Sequence, residues 1–147
     1  MTSSPMDQIV ASFRQRVSRE QVRSAFREDL RAFLADSVAE DRLTFDWRDD
    51  DRDPKGIYRA DCRVEYPRTP LFVFGLATDG RTRDATITLL QYEKWGLPFR
   101  SLVIFEDQRQ IGRNALARLT DVCDRQYSSL GGNEDRIRRF LADGGAA

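Results

Sequence analysis

The chain has 147 residues, a third of them charged, and its 24 basic and 24 acidic residues balance to a formal net charge of zero. A chain of this length suits one domain with its own core, and the balanced charge excludes a global field that would draw it to nucleic acid or to an anionic membrane. No apolar run approaches the roughly 18 residues of a membrane span and the N-terminal segment lacks a signal-peptide pattern, so we expect a cytoplasmic protein with no membrane partner.

Histidine is absent from the sequence. Ser-His-Asp and Cys-His pairs, histidine bases and zinc sites with histidine ligands are therefore impossible within this chain. Cys62 and Cys123 lie far apart without metal-ligand spacing, which predicts two buried free thiols, and the glycine-rich nucleotide-binding loops are missing. Carboxylate chemistry with Mg²⁺ remains, or no catalysis, and we expect no cofactor unless the chain is a Mg²⁺-dependent nuclease.

Two helices and a strand are predicted first. Residues 5–17 show a short helical pattern, which forms an N-terminal arm. Ser18 and Gln21 fit a capping box, and apolar residues then recur at helical spacing until about Asp36. The segment 42–48, RLTFDWR, alternates as a half-buried strand does. One side of this strand carries Leu43, Phe45 and Trp47.

Two further strands follow an acidic loop, DDDRDPKG, that is typical of a solvated turn. The segment 57–66, IYRADCRVEY, alternates strictly between apolar and charged residues. Its apolar face carries Tyr58, Ala60, Cys62, Val64 and Tyr66. Its charged face carries Arg59, Asp61, Arg63 and Glu65. The segment 71–78, LFVFGLAT, is apolar at both parities, which predicts a central strand covered on both faces.

The second half alternates helices with one strand. A helix is predicted from Thr82 to Trp95, ended by Gly96 and Pro98. The segment 101–105, SLVIF, indicates a buried strand. A helix over 110–125 should turn Ile111, Ala115, Leu119 and Val122 inward, and a last helix covers about 133–142.

The order αβββαβα predicts an α/β fold with a four-stranded mixed sheet. Short loops make the first three strands an antiparallel meander, and the crossover helix makes the fourth parallel to the third, with helices on both faces. We expect a single domain over 1–147, with an arm at 1–17, an αβββαβ core at 18–106 and C-terminal helices at 107–147.

This order resembles the restriction-endonuclease-like fold of the PD-(D/E)xK nucleases over roughly residues 18–106. In that family an acid on the second strand and an acid-x-Lys on the third together bind Mg²⁺ and orient water, and Asp61 matches the first acid. The third strand, LFVFGL, offers neither acid nor lysine, so the resemblance implies a degenerate form. Gln91 with Tyr92 is similar to a helical glutamine of some branches, and Lys94 would be a displaced lysine.

The stretches LFVFGLATD, ITLLQYEKWG and LARLTDVCDRQYSSL, within 71–130, also resemble an uncharacterised domain family of bacteria and their phages or mobile elements. That resemblance implies a phage or mobile-element setting and no established activity.

The candidate metal ligands are Asp46 and Asp61. Asp61 and Glu65 share a strand face but lie roughly 13 Å apart at about 3.3 Å per residue, too far to share one metal. A site at Asp61 would recruit Asp46 from the neighbouring strand, or Glu28 or Glu40. The alternative is that Asp61 belongs to a solvated strand face with cross-strand ion pairs.

Two polar groups follow strands at the edge where open α/β sheets bind ligands. The first is a polar cluster of Thr78, Asp79, Arg81 and Arg83, and the second is the pair Glu106 and Asp107. In the alternative interpretation Asp79 with Gly80 forms a turn, Thr82 caps the helix, and the pair only begins a loop.

A basic ridge recurs every four residues along the helix that begins at Ser18. It consists of Arg19, Arg23, Arg27 and Arg31. Phosphates could lie along about 18 Å of it, or the interspersed acids pair with it as a solvated face. The C-terminal residues Arg136, Arg138 and Arg139 leave the same two alternatives open.

Three functions follow. The first is a non-catalytic degenerate restriction-endonuclease-like domain that binds or regulates a protein or nucleic-acid partner. The second is a Mg²⁺-dependent nuclease with Asp46 and Asp61 as ligands and Lys94 as its lysine. The third is a structural subunit that forms a homo-oligomer.

Overall fold

The structure is a computed structural model that describes residues 25–144. The N-terminal arm, the capping box at Ser18, and Arg19 and Arg23 lie outside the described residues. The elements are α1 (25–37), β1 (Leu43–Trp47), β2 (Ala60–Val64), β3 (Leu71–Leu76), α2 (Asp79–Lys94), β4 (Arg100–Phe105), α3 (Arg113–Thr120), β5 (Arg125–Tyr127) and α4 (Glu134–Ala142).

The strands form one mixed sheet in the order β1-β2-β3-β4-β5. The pairs β1–β2 and β2–β3 are antiparallel, whereas β3–β4 and β4–β5 are parallel. The predicted α/β class, the meander and the parallel crossover are confirmed, but the predicted sheet lacked β5.

The fifth strand lies where the sequence predicted the end of a helix. Helix α3 ends at Thr120, and Asp124 then joins the chain to β4. Its Oδ2 accepts hydrogen bonds from the backbone N–H of Ser101 at 2.8 Å and from that residue's hydroxyl at 3.2 Å. The Ser101 hydroxyl in turn accepts the Asp124 N–H at 2.9 Å. These bonds place residues 125–127 beside β4.

Each face of the sheet is covered by two helices. On the α1/α4 face, aliphatic strand residues such as Val73 and Ile104 pack against Leu34 and Ile137. On the α2/α3 face, Phe72 and Phe74 pack against side chains of both covering helices. These include Ala85, Leu89, Tyr92, Ala115 and Leu119. The burial of β3 on both faces confirms it as the central strand.

In β1 and β2, the alternation of side chains between the two faces of the sheet reverses at two acidic residues. The register pairs Phe45 with Cys62 and Trp47 with Ala60, leaving Asp46 and Asp61 between the two pairs. Asp46 has φ 51°, the left-handed conformation that non-glycine residues rarely adopt. Side chains before and after this point therefore lie on opposite faces of the sheet.

Several predicted faces are wrong for this reason. Phe45 packs on the α1/α4 face, as does Cys62, whereas Trp47 and Ala60 pack on the α2/α3 face. The predicted charged face of β2 is also divided. Arg63 lies 5.4 Å from the Trp47 ring centroid, on the side opposite to Asp61.

The acidic loop before β2 is less solvated than predicted. Asp53 is only 3% exposed, and its two carboxylate oxygens accept the N–H groups of Ile57 and Tyr58, each at 2.8 Å. Asp53 therefore organises the loop that leads into β2. Among the helices of residues 25–144, none has both the length and the apolar character needed to cross a bilayer.

Candidate functional site

A cavity of about 230 Å³ lies between α1 and the ends of β1, β2 and β3. Its wall has an apolar part and a polar part, and both α1 and the sheet contribute to each. The apolar part comes from Phe26, Leu30, Leu34 and Phe45, and the polar part from Arg27, Arg31, Asp46, Asp61, Thr78 and Arg81. The reversal at the two acids thus brings both predicted metal ligands to one cavity.

Asp61 is held by two donors of the chain itself. Its Oδ2 accepts the backbone N–H of Gly75 at 2.7 Å, and its Oδ1 accepts a bond from the Arg81 guanidinium at 3.1 Å. The side chain is 20% exposed, so these bonds replace much of its hydration. Charge-assisted bonds of this kind are stronger than neutral ones. Each carboxylate oxygen of Asp61 therefore already has a partner.

Gly75 allows this arrangement because α1 approaches the sheet closely at that point. A Cβ atom on Gly75 would lie 2.6 Å from Cδ2 of Leu30 and 3.3 Å from Cε1 of Phe26. The absence of a side chain lets the helix close one wall of the cavity. The β2–β3 pairing covers only Cys62 to Val64 of β2. Asp61 lies just beyond it and accepts the N–H of Gly75 with its side chain.

Asp46 is held by Arg31 of α1, at 2.5 Å between Oδ2 and Nη2. The Arg31 guanidinium also lies 4.8 Å from the Phe45 ring centroid, a cation–π contact. Both members of the pair are about half exposed, so solvent screens their attraction. Each acid of the cavity is thus neutralised by its own arginine.

Other predicted acids lie outside this cavity. Glu28, Glu40 and Glu65 are not among its lining residues, and Glu65 pairs with Arg63. Within residues 25–144, no group of three acidic, cysteine or histidine side chains is arranged to hold a metal ion.

Lys94 is not brought to the cavity. It is the last residue of α2, thirteen residues after Arg81. At 1.5 Å per residue, this places the two backbones about 20 Å apart along the helix. Lys94 is exposed at the end of the sheet opposite to the cavity.

The predicted basic ridge can be followed only in part. Arg27 and Arg31 both line the cavity, and Arg31 forms the ion pair with Asp46. In the C-terminal group, Arg138 pairs with Glu134 at 3.7 Å and with Asp135 at 3.4 Å.

Of the two predicted polar groups after β3 and β4, the first brings Thr78 and Arg81 to the cavity, and members of both groups also serve local structure. Thr78, rather than Thr82, caps α2 by accepting the N–H of Arg81 at 3.2 Å. Asp79 accepts the N–H of Gly112 at 2.8 Å and so joins the starts of α2 and α3. Asp107 bonds to Arg109, whose guanidinium lowers the pKa of that carboxyl group.

The two cysteines are free thiols, as predicted, but only Cys62 is buried. Burial raises the pKa of the Cys62 thiol to about 12 and that of Cys123 to about 11. Both thiols are therefore protonated near neutral pH. Neither has the lowered pKa of a reactive nucleophile.

A second surface was missed by the sequence reasoning. Among residues 25–144, the exposed large apolar side chains are Ile57, Ile87 and Leu90. We define the α2 stripe as the exposed line Arg83, Ile87, Leu90 and Lys94. Beside it, Ile57 and Ile87 line one groove of about 400 Å³. The spacing 83-87-90-94 is visible in the sequence, but the prediction for this helix considered only its buried face.

Comparisons of the chain with protein-family models, with curated proteins and with solved structures give no significant match.

Proposed function

We propose that the chain is a non-catalytic binding module built on a degenerate restriction-endonuclease-like scaffold. One observation carries the proposal, namely that arginine side chains hold both acids of the cavity. Arg81 and the Gly75 N–H hold Asp61, and Arg31 holds Asp46. The resemblance implies that a nuclease of this family needs Asp61 for Mg²⁺, and a nuclease with rearranged ligands would need Asp46 as well. Here an arginine of the protein neutralises each of the two carboxylates.

The element order supports the same scaffold. A helix, an antiparallel three-stranded meander, a crossover helix and a parallel fourth strand follow one another between residues 25 and 105. Fold alone does not define function, so the proposal depends on the cavity. There the third strand contributes Gly75, which binds Asp61 through its backbone and has no side chain to bind a metal.

The binding role is supported by the α2 stripe. Ile87 is 56% exposed and Leu90 is 47% exposed on neighbouring turns of α2, and Ile57 lies across the adjoining groove. Converging exposed apolar side chains are typical of protein interaction sites. The module is thus proposed to act through protein contacts.

A cleavage assay tests the absence of catalysis. The full chain is incubated with plasmid and with single-stranded DNA in Mg²⁺ or Mn²⁺, beside the Asp61→Asn variant. We expect no cleavage by either protein, and no rise in the melting temperature of the wild type with either cation. Metal-dependent cleavage that the wild type shows and Asp61→Asn lacks would refute the proposal.

Metal-dependent cleavage that Asp61→Asn lacks would favour the second candidate, a nuclease with rearranged ligands. One observation supports this candidate, namely that Asp46 and Asp61 line the same cavity.

A gel-shift assay tests nucleic-acid binding without cleavage. We expect no shift at low salt, and a salt-sensitive shift that Arg27→Glu removes would replace the protein partner with a nucleic acid.

A further inference from the structure

The α2 stripe is an apolar pair between two cations. Arg83 and Lys94 lie on the same line of the helix as Ile87 and Leu90, because positions 83, 87, 90 and 94 recur at helical spacing. Within residues 25–144, neither Arg83 nor Lys94 forms an ion pair. Asp84 and Glu93 flank the line on its two sides. The surface therefore fits an apolar segment bordered by carboxylates.

A groove of about 580 Å³ between α1 and α4 has this complementary character. We call it the acidic groove. Its apolar floor includes Phe33 and Leu130, and its acidic residues are Asp29, Asp36, Glu106 and Glu134. Arg138 is the basic residue of its lining, and it is already paired with Glu134. The other three acids form no ion pair within the described part of the chain.

A symmetric contact between two α2 stripes fits poorly. If two copies of α2 met antiparallel about Ile87 and Leu90, Arg83 of each copy would oppose Lys94 of the other. This pair has like charges, which disfavours the contact. The charges therefore favour an acidic partner for the stripe over a second stripe.

We propose that the chain associates with itself head to tail, with the α2 stripe of one copy in the acidic groove of the next. The inference rests on the proposed role as a protein-binding module and names its partner. The stripe lies on the helix layer that covers one face of the sheet, and the groove lies on the layer that covers the other. A copy bound through one surface keeps the other free, so the association can continue beyond a dimer, into a closed ring or an open filament.

The first experiment measures mass against concentration by sedimentation equilibrium at low and high salt. We expect the weight-average mass of the wild type to rise above the monomer mass of 17.0 kDa as concentration increases at low salt. High salt should return it toward the monomer, because ions screen the exposed charges. A wild-type chain that stays monomeric up to millimolar concentration at low salt overturns the inference.

Two single substitutions separate the surfaces. Ile87→Glu places an acid in the stripe, and Asp36→Arg places a base in the acidic groove. Both positions are exposed, and a base in the last turn of α1 suits the helix dipole, so both variants should fold. Each alone is expected to be monomeric. Asp50→Arg, at an acid that is 86% exposed in the β1–β2 loop, is the matched control and should associate as the wild type does.

Mixing the two variants is the decisive measurement. The intact stripe of Asp36→Arg can enter the intact groove of Ile87→Glu, so mixing restores one complete contact. An equimolar mixture should therefore reach at least twice the monomer mass. A mixture that stays monomeric, or an Ile87→Glu chain that still associates alone, contradicts the head-to-tail contact.

The outcomes also separate this inference from the proposed function. A chain that neither cleaves DNA nor associates overturns the inference and keeps the non-catalytic assignment. A chain that cleaves through Asp61 and also associates overturns the non-catalytic assignment and keeps the contact.

Discussion

The α2/α3 face of the sheet is packed with aromatic rings, whereas the α1/α4 face is largely aliphatic and ends in the polar cavity. On the aromatic side, Phe72 lies 4.6 Å from Trp47 and 5.0 Å from Tyr92 between ring centroids. On the other side, Asp61 and Arg81 are the least exposed ion pair of the cavity. Both faces bury apolar side chains, and the α1/α4 face also has room for charged groups at the cavity.

The largest expected effect tests the aromatic side. Tyr92 is fully buried, and its hydroxyl donates a 2.7 Å hydrogen bond to the backbone carbonyl of Tyr58. Tyr92→Ala should lower the free energy of unfolding by about 3–5 kcal/mol, as large-to-small changes at buried aromatic sites do. Urea unfolding measures the loss. Leu90→Ala, on the exposed side of the same helix, should change it by only about 0.5 kcal/mol. Similar losses in the two variants would contradict the assigned packing.

The second test adds volume where α1 approaches the sheet. Gly75→Ala should cost about 1–3 kcal/mol, because its Cβ would overlap Leu30 and force α1 outward. Gly131→Ala is the control, since no heavy atom lies within 4 Å of a Cβ there. Its unfolding free energy should stay within about 0.5 kcal/mol of the wild type. An unchanged stability of Gly75→Ala would mean that α1 is not held against β3.

The third test compares the two acids of the cavity. Asp61→Asn should cost about 1–2 kcal/mol, because the side chain is only 20% exposed and loses charge-assisted bonds to Gly75 and Arg81. Asp46→Asn should cost about 0.5 kcal/mol or less, since the Asp46 side chain is 55% exposed and asparagine tolerates a positive φ. Equal losses in urea unfolding would count against the different roles of the two acids.

The effect that is smallest at neutral pH concerns the thiols, and it grows only in alkaline solution. Burial raises the pKa of Cys62 to about 12 and that of Cys123 to about 11, from an ordinary 9.0. The unfolded chain ionises first, so the stability that these neutral thiols contribute is complete below pH 9 and declines as the pH rises toward 11 and 12. Unfolding midpoints across that range should fall accordingly. An unfolding midpoint that rises with pH above 9 would contradict this direction of the pH dependence.

Reaction with a disulfide reagent near neutral pH gives a second measure of the thiols. Cys123 is partly exposed and should react before Cys62. In urea both should react quickly, which provides the control. A faster reaction at Cys62 in the folded chain would contradict its burial.

Periodicity predicted the order of helices and strands because most elements bury one consistent face. Strand β3 is apolar at both parities, and the structure covers both of its faces with helices. Strand β5 escaped prediction because its three residues, Arg125 to Tyr127, carry no period of their own. It is placed by Asp124 and Ser101, which lie 23 residues apart in the chain.

The candidate site was predicted in its residues but not in its arrangement. Asp46 and Asp61 were selected as strand acids next to each other, and both do line one cavity. The sequence did not predict Gly75 and Arg81 as hydrogen-bond donors to Asp61. They lie 14 and 20 residues away in the chain, and no local sequence pattern indicates contacts of that separation. The reversal of faces was also unpredictable, because nothing in LTFDW requires a left-handed backbone at Asp46.

That left-handed residue has a consequence for the edges of the sheet. Strand β1 is one edge, and Asp46 interrupts its extended backbone one residue before it ends. The opposite edge, β5, has only three residues. Short or interrupted edges are poor templates for adding a strand from another chain. Aggregation by edge-to-edge pairing is thus discouraged at both sides of the sheet, and the helix layers are left as the surfaces through which neighbouring molecules can meet.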